Sequence, residues 1–334
     1  MKKERKDELA KLGGELLHTM LYDMLLIRRF EEKSAQMYGL KKIGGFCHLY
    51  NGQEGVAVGT AQAMDRDKDY VLTAYRDHGH AIAMGMDPKV VMAELFGKIT
   101  GCSRGKGGSM HMFDVEKHFL GGNGIVGAQI PIATGVGFYQ MYTKSKGATV
   151  CFFGDGAIHQ GAFHESLNMS RIWELPVIYA VENNGFGMGT SVRRASAIED
   201  FTLKAPGYDM KSATINGMDV VEMYSRMGEI LSDARENGQS YLLDVKTYRY
   251  KGHSMSDPAK YRTKEELESY KQQDPILLLK ADMIDGGYIS DEEFKKLDSD
   301  IKVRVQESVD FAEESAEPAL HTIYEDVLAE AHNG

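Results

Sequence analysis

Residues 150–161 read VCFFGDGAIHQG, and this stretch decides the fold. An apolar, strand-forming run ends there on Asp155 between two glycines, and a second apolar run, PVIYAVE, ends on Asn183-Asn184. YVLTAY before them and YLLDVKTY after them have the same β-rich character, and helical segments separate the four runs. Strands that alternate with helices in this way are typical of parallel strands joined by crossover helices. The sequence therefore predicts an α/β fold with a doubly wound, mostly parallel sheet.

Helical patterns flank the predicted sheet. Apolar residues recur at helical spacing between positions 9 and 20, and again between positions 297 and 312. No Pro/Gly-rich linker interrupts the chain. We therefore expect a single domain over residues 1–334, with a helical N-terminal segment at 1–45 and a helical C-terminal extension at 263–334.

Composition narrows the classes of function. The 334 residues are 43% hydrophobic and 26% charged, as in ordinary folded domains. A net charge of -10 argues against a general nucleic-acid binder, which needs surplus Lys and Arg. The three cysteines have no metal-type spacing, and no run approaches the ~20 apolar residues of a membrane-spanning helix. The basic start carries acids before any apolar segment, so we expect a cytoplasmic protein.

The acid at position 155 predicts a cation. If residues 148–153 form a buried strand, Asp155 lies in the turn at its carboxyl end, where the next helix begins near Ile158. The free N–H groups of a helix start attract anions, and glycines let a ligand approach the backbone closely. A carboxylate beside an anion site is favourable mainly when a cation lies between them. Magnesium bridging a carboxylate to a diphosphate meets that condition.

A second ligand is predicted on the neighbouring strand. Twenty-six residues, 157–182, separate the GDG turn from Asn183-Asn184, which is enough for one crossover helix and one strand. Asn184 therefore falls beside Asp155, and the following loop offers a backbone carbonyl. Taken alone, a turn aspartate and an Asx-turn asparagine are also common where strands end.

These residues carry a family resemblance. The same chain contains FCHLYNGQE, YRDHGH, GKGGSMHMF, GGNGIVGAQ, ENNGFGMGTS and YRYKGHSMSDPAKYRT, so the resemblance covers about residues 20–275. Together with the GDG and NN pair, they resemble the alpha subunits of the pyruvate dehydrogenase component of 2-oxo acid dehydrogenase complexes. The resemblance implies the thiamin-diphosphate-binding fold, with thiamin diphosphate and Mg²⁺ as cofactors.

The resemblance also implies ligands for the metal and the diphosphate. Asp155, the side chain of Asn184 and the backbone carbonyl of Phe186 would hold Mg²⁺. The family often has Tyr where this chain has Phe186, a change that a backbone ligand tolerates. Gly156 and Ala157 would donate backbone N–H groups to the diphosphate. Nothing in the sequence explains Ile158 and His159, where the family usually has Ala-Asn.

Further cofactor contacts follow from the other motifs. By resemblance, Tyr75 and Arg76 bind the diphosphate, and a planar guanidinium suits a bidentate phosphate contact. Gly124 and Val126 bind the aminopyrimidine through backbone groups, and Met188 lies beneath the cofactor and keeps it bent. On sequence alone, a solvated arginine, a Gly-rich turn and a core methionine are the ordinary interpretations of these positions.

Two histidines match active-site positions of the family. His253 would pair with the diphosphate and steady the substrate-side loop, and His48 would help to bind the 2-oxo acid or stabilise charge after addition. Both side chains can titrate near neutral pH and so move protons. Ser254 matches a serine that is phosphorylated in eukaryotic members, but Ala259-Lys260 stand where those members have a second phosphorylated serine. Regulation by phosphorylation therefore stays open.

One group that the expected reaction requires is missing from the chain. Thiamin catalysis needs a carboxylate on the aminopyrimidine, and the resemblance implies that a separate beta subunit supplies it in an α₂β₂ heterotetramer. The implied reaction is oxidative decarboxylation of pyruvate with transfer of the acetyl group to a lipoyl-bearing acyltransferase, the step from glycolysis to acetyl-CoA. Alternatives are the alpha subunits of acetoin or branched-chain 2-oxo acid dehydrogenases, and a non-catalytic module that binds diphosphate and magnesium.

The helix after the GDG turn is apolar on two faces, which agrees with a partner subunit. Phe163 and Leu167 lie on one face. The opposite arc carries Ile158, Ala162, Met169, Ile172 and Trp173. A helix that is apolar on two faces is buried on both, either within a subunit or between subunits.

Overall fold

The computed structural model describes residues 2–326 and is built around two sheets. The strands are β1 Tyr70–Ala74, β2 Phe119–Asn123, β3 Thr149–Gly154, β4 Val177–Asn183, β5 Phe186–Gly187, β6 Thr190–Ser191, β7 Lys211–Asn216 and β8 Tyr241–Lys246. Six of them form one sheet in the order β2-β1-β3-β4-β8-β7, with every neighbouring pair parallel. β5 and β6 form a small antiparallel pair. The predicted α/β class with a mostly parallel sheet is confirmed.

Helices cover both faces of the large sheet. They are α1 Lys3–Leu12, α2 Gly14–Gly39, α3 Glu54–Ala63, α4 His78–Ala83, α5 Pro88–Leu95, α6 Gln129–Thr143, α7 Gly161–Ile172, α8 Val192–Ala195, α9 Val220–Asn237, α10 Lys264–Lys271, α11 Pro275–Asp285 and α12 Asp291–Glu314. Short 3₁₀ turns are Gly108–Met110, Val115–Lys117, Ala157–His159, Phe201–Tyr208 and Leu320–Tyr324.

The core lies in two layers, one on each side of the sheet. Alternate residues of β3 point to opposite faces, as the period of a strand requires. Val150 and Phe152 join the larger cluster with α2, α3 and α9, whereas Cys151 and Phe153 join the smaller cluster with α6 and α7. The three cysteines are free, and Cys47 and Cys151 are buried. Every residue of β3 before Gly154 is buried, which explains its continuous apolar run.

Two strands of the large sheet were not predicted, and neither was the short pair β5–β6. β2 has the sequence FLGGN, whose glycines favour a turn over a strand. β7 lies at the edge of the sheet and has the sequence KSATIN, largely exposed and without an apolar run. Both strands form because a neighbouring strand offers an unpaired edge, which no local pattern reveals.

The terminal helices differ in detail from the sequence interpretation. The N-terminal helical pattern breaks into α1 and α2 at Gly13, whose φ of 79° lies in the left-handed region that glycine adopts easily. α12 packs on α2 and α5, and Ile301 and Val305 are buried there. The proposed bounds of the N- and C-terminal segments stay a prediction, and residues 327–334 of the C-terminal extension lie outside the described residues. Within residues 2–326, no helix has both the length and the apolar character needed to cross a bilayer.

The order of strands fixes the position of the site. From β1 the chain crosses to β2 on one side and then to β3 on the other. The loops at the carboxyl ends of β1 and β3 therefore diverge and leave a crevice between them. In open α/β sheets such a switch point is where ligands bind.

Candidate active site

A cavity of about 870 Å³ opens at the switch point. Its lining comes from the loops that follow β1, β2, β3 and β4, from residues 46–53 and from the segment after β8. All twelve residues singled out from the sequence line it: His48, Tyr75, Arg76, Gly124, Val126, Asp155, Gly156, Ala157, Asn184, Phe186, Met188 and His253. The structure thus brings together residues that are up to 205 positions apart in the chain (48 to 253).

Asp155 lies directly after β3 and is nearly buried, with 4% of its surface exposed. The helix does not begin at Ile158 as the sequence suggested. A 3₁₀ turn over Ala157–His159 comes first, and α7 begins at Gly161. Burial raises the pKa of the Asp155 carboxyl to about 6. A bound cation would therefore stabilise the ionised carboxylate, because it would offset the hydration that burial removes.

Asn184 lies beside Asp155 because β3 and β4 pair in register, Gly154 opposite Glu182. Its Nδ2 donates to Gln53 Oε1 at 3.3 Å, and its Oδ1 accepts from the backbone N–H of Phe186 at 3.3 Å. An amide oxygen carries two lone pairs, so Oδ1 retains capacity for a second partner. A carboxylate, an amide oxygen and a backbone carbonyl are the hard oxygen ligands that Mg²⁺ prefers, so the donor set fits that ion.

Arg76 ties two loops of the site together. Its Nη1 donates to Leu49 O at 2.6 Å and its Nη2 donates to His253 O at 2.8 Å. The guanidinium has five N–H groups, so donors remain for an anion in the cavity. Tyr75 packs against both histidines, with ring centroids 4.7 Å from His48 and 5.5 Å from His253.

The two histidines are neutral at physiological pH. Burial, with the nearby charge of Arg76, lowers the pKa of His48 to about 3 and that of His253 to about 4. The structure therefore opposes the expectation that both titrate near neutral pH. His48 Nδ1 lies 2.9 Å from His253 O, and a carbonyl only accepts, so Nδ1 carries the proton and Nε2 is left as an acceptor.

Two buried nitrogens at the cavity have no protein partner. His253 Nδ1 and Gln53 Nε2 form no hydrogen bond to any described residue. Both residues line the cavity. Buried polar atoms without partners are rare and usually mark a missing ligand or water. They are a second, independent sign that a polar group belongs in this cavity.

Met188 has a strained backbone. Its φ of 54° lies in the left-handed region, which costs a non-glycine residue energy, and 64% of its surface is exposed. A large apolar side chain held exposed in this way gains contacts only when something covers it. Val126 is also exposed, and it lies across the same cavity.

The segment after β8 closes on itself at the cavity rim. Asp257 Oδ2 accepts from the backbone N–H of His253 at 2.6 Å and from Tyr261 Oη at 2.7 Å. Arg249 Nη2 in turn donates to Tyr261 Oη at 2.9 Å. Ser254 is buried, and its hydroxyl pairs with Ser256 at 2.8 Å. These bonds fix the position of His253.

Several residues that line the cavity were not predicted as site residues, although they belong to the motifs on which the resemblance rests. They are Gln53 in NGQE, Gln129 at the end of GGNGIVGAQ, Glu182 before the asparagine pair, and Arg249, Asp257 and Tyr261 in the last motif. For all of these residues except Tyr261, a charged or amide side chain within one of the motifs was the signal that could have identified them.

Together, the fold and the cavity define a class: α/β proteins with a parallel sheet and a ligand crevice at the switch point between strand ends. The chain belongs to the Dehydrogenase E1 component family, which it matches over residues 22–321. Enzymes of this family depend on thiamin diphosphate. The resemblance inferred from the motifs is thereby confirmed.

Individual relatives agree with the family. The chain is 48% identical over 302 residues to the pyruvate dehydrogenase E1 component subunit alpha of Rickettsia bellii, covering 90% of this chain and 92% of that protein. It is 48% identical to the subunit of the same name from Rhizobium meliloti, over 92% and 88% of the two chains. The Zymomonas mobilis subunit is 47% identical, over 91% and 86%.

Proposed function

We propose that this chain is the alpha subunit of a pyruvate dehydrogenase and that it acts with a beta subunit. The reaction is oxidative decarboxylation of pyruvate with transfer of the acetyl group to a lipoyl-bearing acyltransferase. The observation that carries the proposal is the single cavity lined by all twelve residues expected from the motifs, in a chain 47–48% identical to alpha subunits of that name.

Asp155, Asn184 and the carbonyl of Phe186 would hold Mg²⁺ at the floor of the cavity. Gly156 and Ala157 would give backbone N–H groups to the diphosphate, and Arg76 would add a cation. When bound, thiamin diphosphate supplies a nucleophilic carbon and an electron sink for decarboxylation of a 2-oxo acid. The chain's own contribution is to bind and orient that group with fixed donors and one carboxylate.

His48 and His253 would act on the substrate side. A neutral His48 with Nε2 unprotonated accepts a hydrogen bond or a proton from a group bound in the cavity. His253 Nδ1 has no partner among residues 2–326, and in its protonated tautomer it suits a phosphate oxygen or a substrate oxygen. Met188, Gly124 and Val126 would shape the apolar wall against which the cofactor rests.

An exposed apolar face supports the partner. On α7, Phe163 and Leu167 are buried in the core, whereas Met169, Ile172 and Trp173 are exposed. Ile158, which the sequence grouped with the second face, is buried in the 3₁₀ turn instead. The neighbouring helix α6 adds exposed Ile132, Phe138, Tyr139 and Tyr142 to the same region, and Trp173 meets Phe138 at 5.5 Å. We call these residues of α6 and α7 the α6/α7 face.

An apolar patch of this kind on a folded chain marks an interaction site. We propose that the beta subunit covers the α6/α7 face in an α₂β₂ assembly and brings the carboxylate that the aminopyrimidine requires. The acyltransferase would approach the open cavity after assembly. A cytoplasmic location remains a prediction.

Ile172→Arg should prevent assembly. Ile172 is 64% exposed and ends α7, where a basic residue suits the helix dipole, so the isolated chain should fold as before. Buried in an interface, an unpaired guanidinium should weaken association by about 100-fold or more. Sedimentation of the chain mixed with the beta subunit measures this directly.

Val303→Arg, at an exposed position of α12, is the matched control and should assemble normally. Normal assembly of Ile172→Arg would place the beta subunit elsewhere. Loss of a homodimer of this chain, with the beta complex intact, would instead assign the face to a second copy.

A substrate panel tests the reaction. In an artificial-acceptor assay, the chain co-expressed with the beta-type subunit should oxidatively decarboxylate pyruvate faster than it decarboxylates branched-chain 2-oxo acids or cleaves acetoin. A preference for a branched-chain acid or acetoin would support the alternative dehydrogenases. No turnover of any of them, with cofactor bound, would support a non-catalytic binding module.

A further inference from the structure

Glu31 is a buried carboxylate that holds the active-site segment 47–52 in place. It lies on α2 with no exposed surface and does not line the cavity. Its Oε1 accepts from the backbone N–H of Tyr50 at 2.8 Å. Its Oε2 lies 3.0 Å from His78 Nδ1, and since a carboxylate only accepts, Nδ1 is the donor. Both oxygens are therefore engaged.

From His78, the hydrogen bonds continue to the backbone of His48. His78 Nε2 lies 2.8 Å from Ser109 Oγ, and Ser109 Oγ accepts from the backbone N–H of His48 at 3.0 Å. His78 is fully buried and Ser109 is 4% exposed. Burial lowers the pKa of His78, but the Glu31 carboxylate outweighs it and the pKa is raised. The bond between them is thus charge-assisted in the protonated form.

The held segment is joined to the rim of the cavity. Met255 N donates to Cys47 O at 2.9 Å, and Tyr250 N donates to Asn51 O at 2.9 Å. The side chain of His48 meets His253 O at 2.9 Å. The segment 47–52 therefore lies between the buried relay on one side and the residues around His253 on the other.

We propose that Glu31, His78 and Ser109 are positioning residues for His48, forming a buried relay that fixes where its imidazole meets the substrate. The inference rests on the proposed function, because it assigns His48 to the 2-oxo acid side of the site. None of the three relay residues lines the cavity, so they act only through the segment that they hold. Groups that orient a reacting side chain within tenths of an ångström strongly affect rate.

A double-mutant cycle tests this relation. In the assembled enzyme, Ser109→Ala should lower kcat/KM for the 2-oxo acid about tenfold, as expected for coupled neighbours. In a His48→Ala background the same substitution should have little further effect, because no imidazole remains to be positioned. Equal losses in both backgrounds would show that Ser109 acts independently of His48 and would overturn the proposal.

Two further variants separate positioning from general stability. Ser34→Ala removes a buried hydroxyl on α2 that, among the described residues, bonds only to Phe30 O, and it should leave kcat/KM unchanged. Glu31→Gln keeps the size but offers one acceptor oxygen where the carboxylate has two, so it should reproduce the effect of Ser109→Ala. A Glu31→Gln enzyme with normal kcat/KM would contradict the relay.

A chemical readout needs no turnover. Diethyl pyrocarbonate acylates neutral imidazoles, and peptide mass spectrometry gives the rate at His48 with the exposed His321 as an internal reference. Ser109→Ala should raise the rate at His48 about threefold or more, since local opening is easier without the bond. An unchanged rate would overturn the relay. A raised rate in an enzyme that decarboxylates no 2-oxo acid would support the relay and count against the proposed function.

Discussion

Asp155→Asn is expected to weaken thiamin-diphosphate binding by about 100-fold or more in magnesium buffer, or ~3 kcal/mol. The substitution keeps the size and removes the only charge assigned to the metal. Removing a residue that only hydrogen-bonds to a metal ligand typically lowers metal affinity about 10–100-fold. Loss of the charged ligand itself should cost at least the upper value. Titration calorimetry at fixed Mg²⁺ measures it.

The same variant should not destabilise the cofactor-free chain. Burial holds the pKa of Asp155 near 6, so the ionised carboxyl is unfavourable in the empty cavity at neutral pH. A neutral amide removes that cost, and the melting temperature should stay equal or rise. Residues that serve function at a cost to the stability of the fold commonly behave in this way.

Asp300→Asn is the matched control for this pair of measurements. Asp300 lies exposed on α12, so its substitution should change neither cofactor affinity nor melting temperature. Unchanged cofactor affinity in Asp155→Asn would remove Asp155 from the metal site. A large loss of stability would instead mean that the carboxylate serves the fold.

Ser254→Glu is expected to abolish turnover of the assembled enzyme, whereas Ser254→Ala should retain substantial activity. Ser254 is buried beside His253 and lines the cavity. A carboxylate there would lie close to the site expected for the diphosphate and would repel it. The alanine variant loses only the hydroxyl bond to Ser256.

The added charge would also disturb the bonds that order the segment. Asp257, three residues on, accepts from His253 N and from Tyr261 Oη. These bonds hold the pKa of Asp257 near 2, although burial acts in the opposite direction. A second carboxylate nearby repels this one and weakens the turn that positions His253.

Ser299→Glu, the same change on the exposed face of α12, controls for added charge and should be fully active. Steady-state assays with the beta subunit and a lipoyl domain compare the three variants. A fully active Ser254→Glu enzyme would show that the segment after β8 lies away from the reacting groups. Loss of activity in Ser254→Ala as well would assign the effect to the hydroxyl.

The parallel sheet and the pair Asp155–Asn184 were predictable because both follow from local pattern. A buried parallel strand must be apolar throughout, so β3 and β4 were visible in the sequence, and polar residues at their ends had to meet at one edge. β7 was not visible, because a polar edge strand has no such pattern. The start of α7 was placed three residues early, since a 3₁₀ turn and a first helical turn look alike in sequence.

The positioning residues could not be predicted. Glu31, His78 and Ser109 lie on α2, on α4 and in a 3₁₀ turn, and their contacts exist only after these elements pack together. Helical spacing places Glu31, unlike Glu32, on the buried face of α2 with Ile27, but it does not reveal which donors the carboxylate meets. The lowered pKa values of His48 and His253 also depend on tertiary structure, because burial and the charge of Arg76 produce them.

The central claim is that this chain supplies one half of a thiamin-diphosphate site in a pyruvate dehydrogenase. The most direct measurement is pyruvate decarboxylation at saturating thiamin diphosphate and Mg²⁺, with the purified chain alone and with the purified chain plus its beta subunit. We predict no turnover by the chain alone, because the beta subunit is proposed to supply the carboxylate that activates the aminopyrimidine, and rapid turnover by the mixture. Rapid decarboxylation by the chain alone, or none by an assembled and cofactor-loaded mixture, would contradict the account.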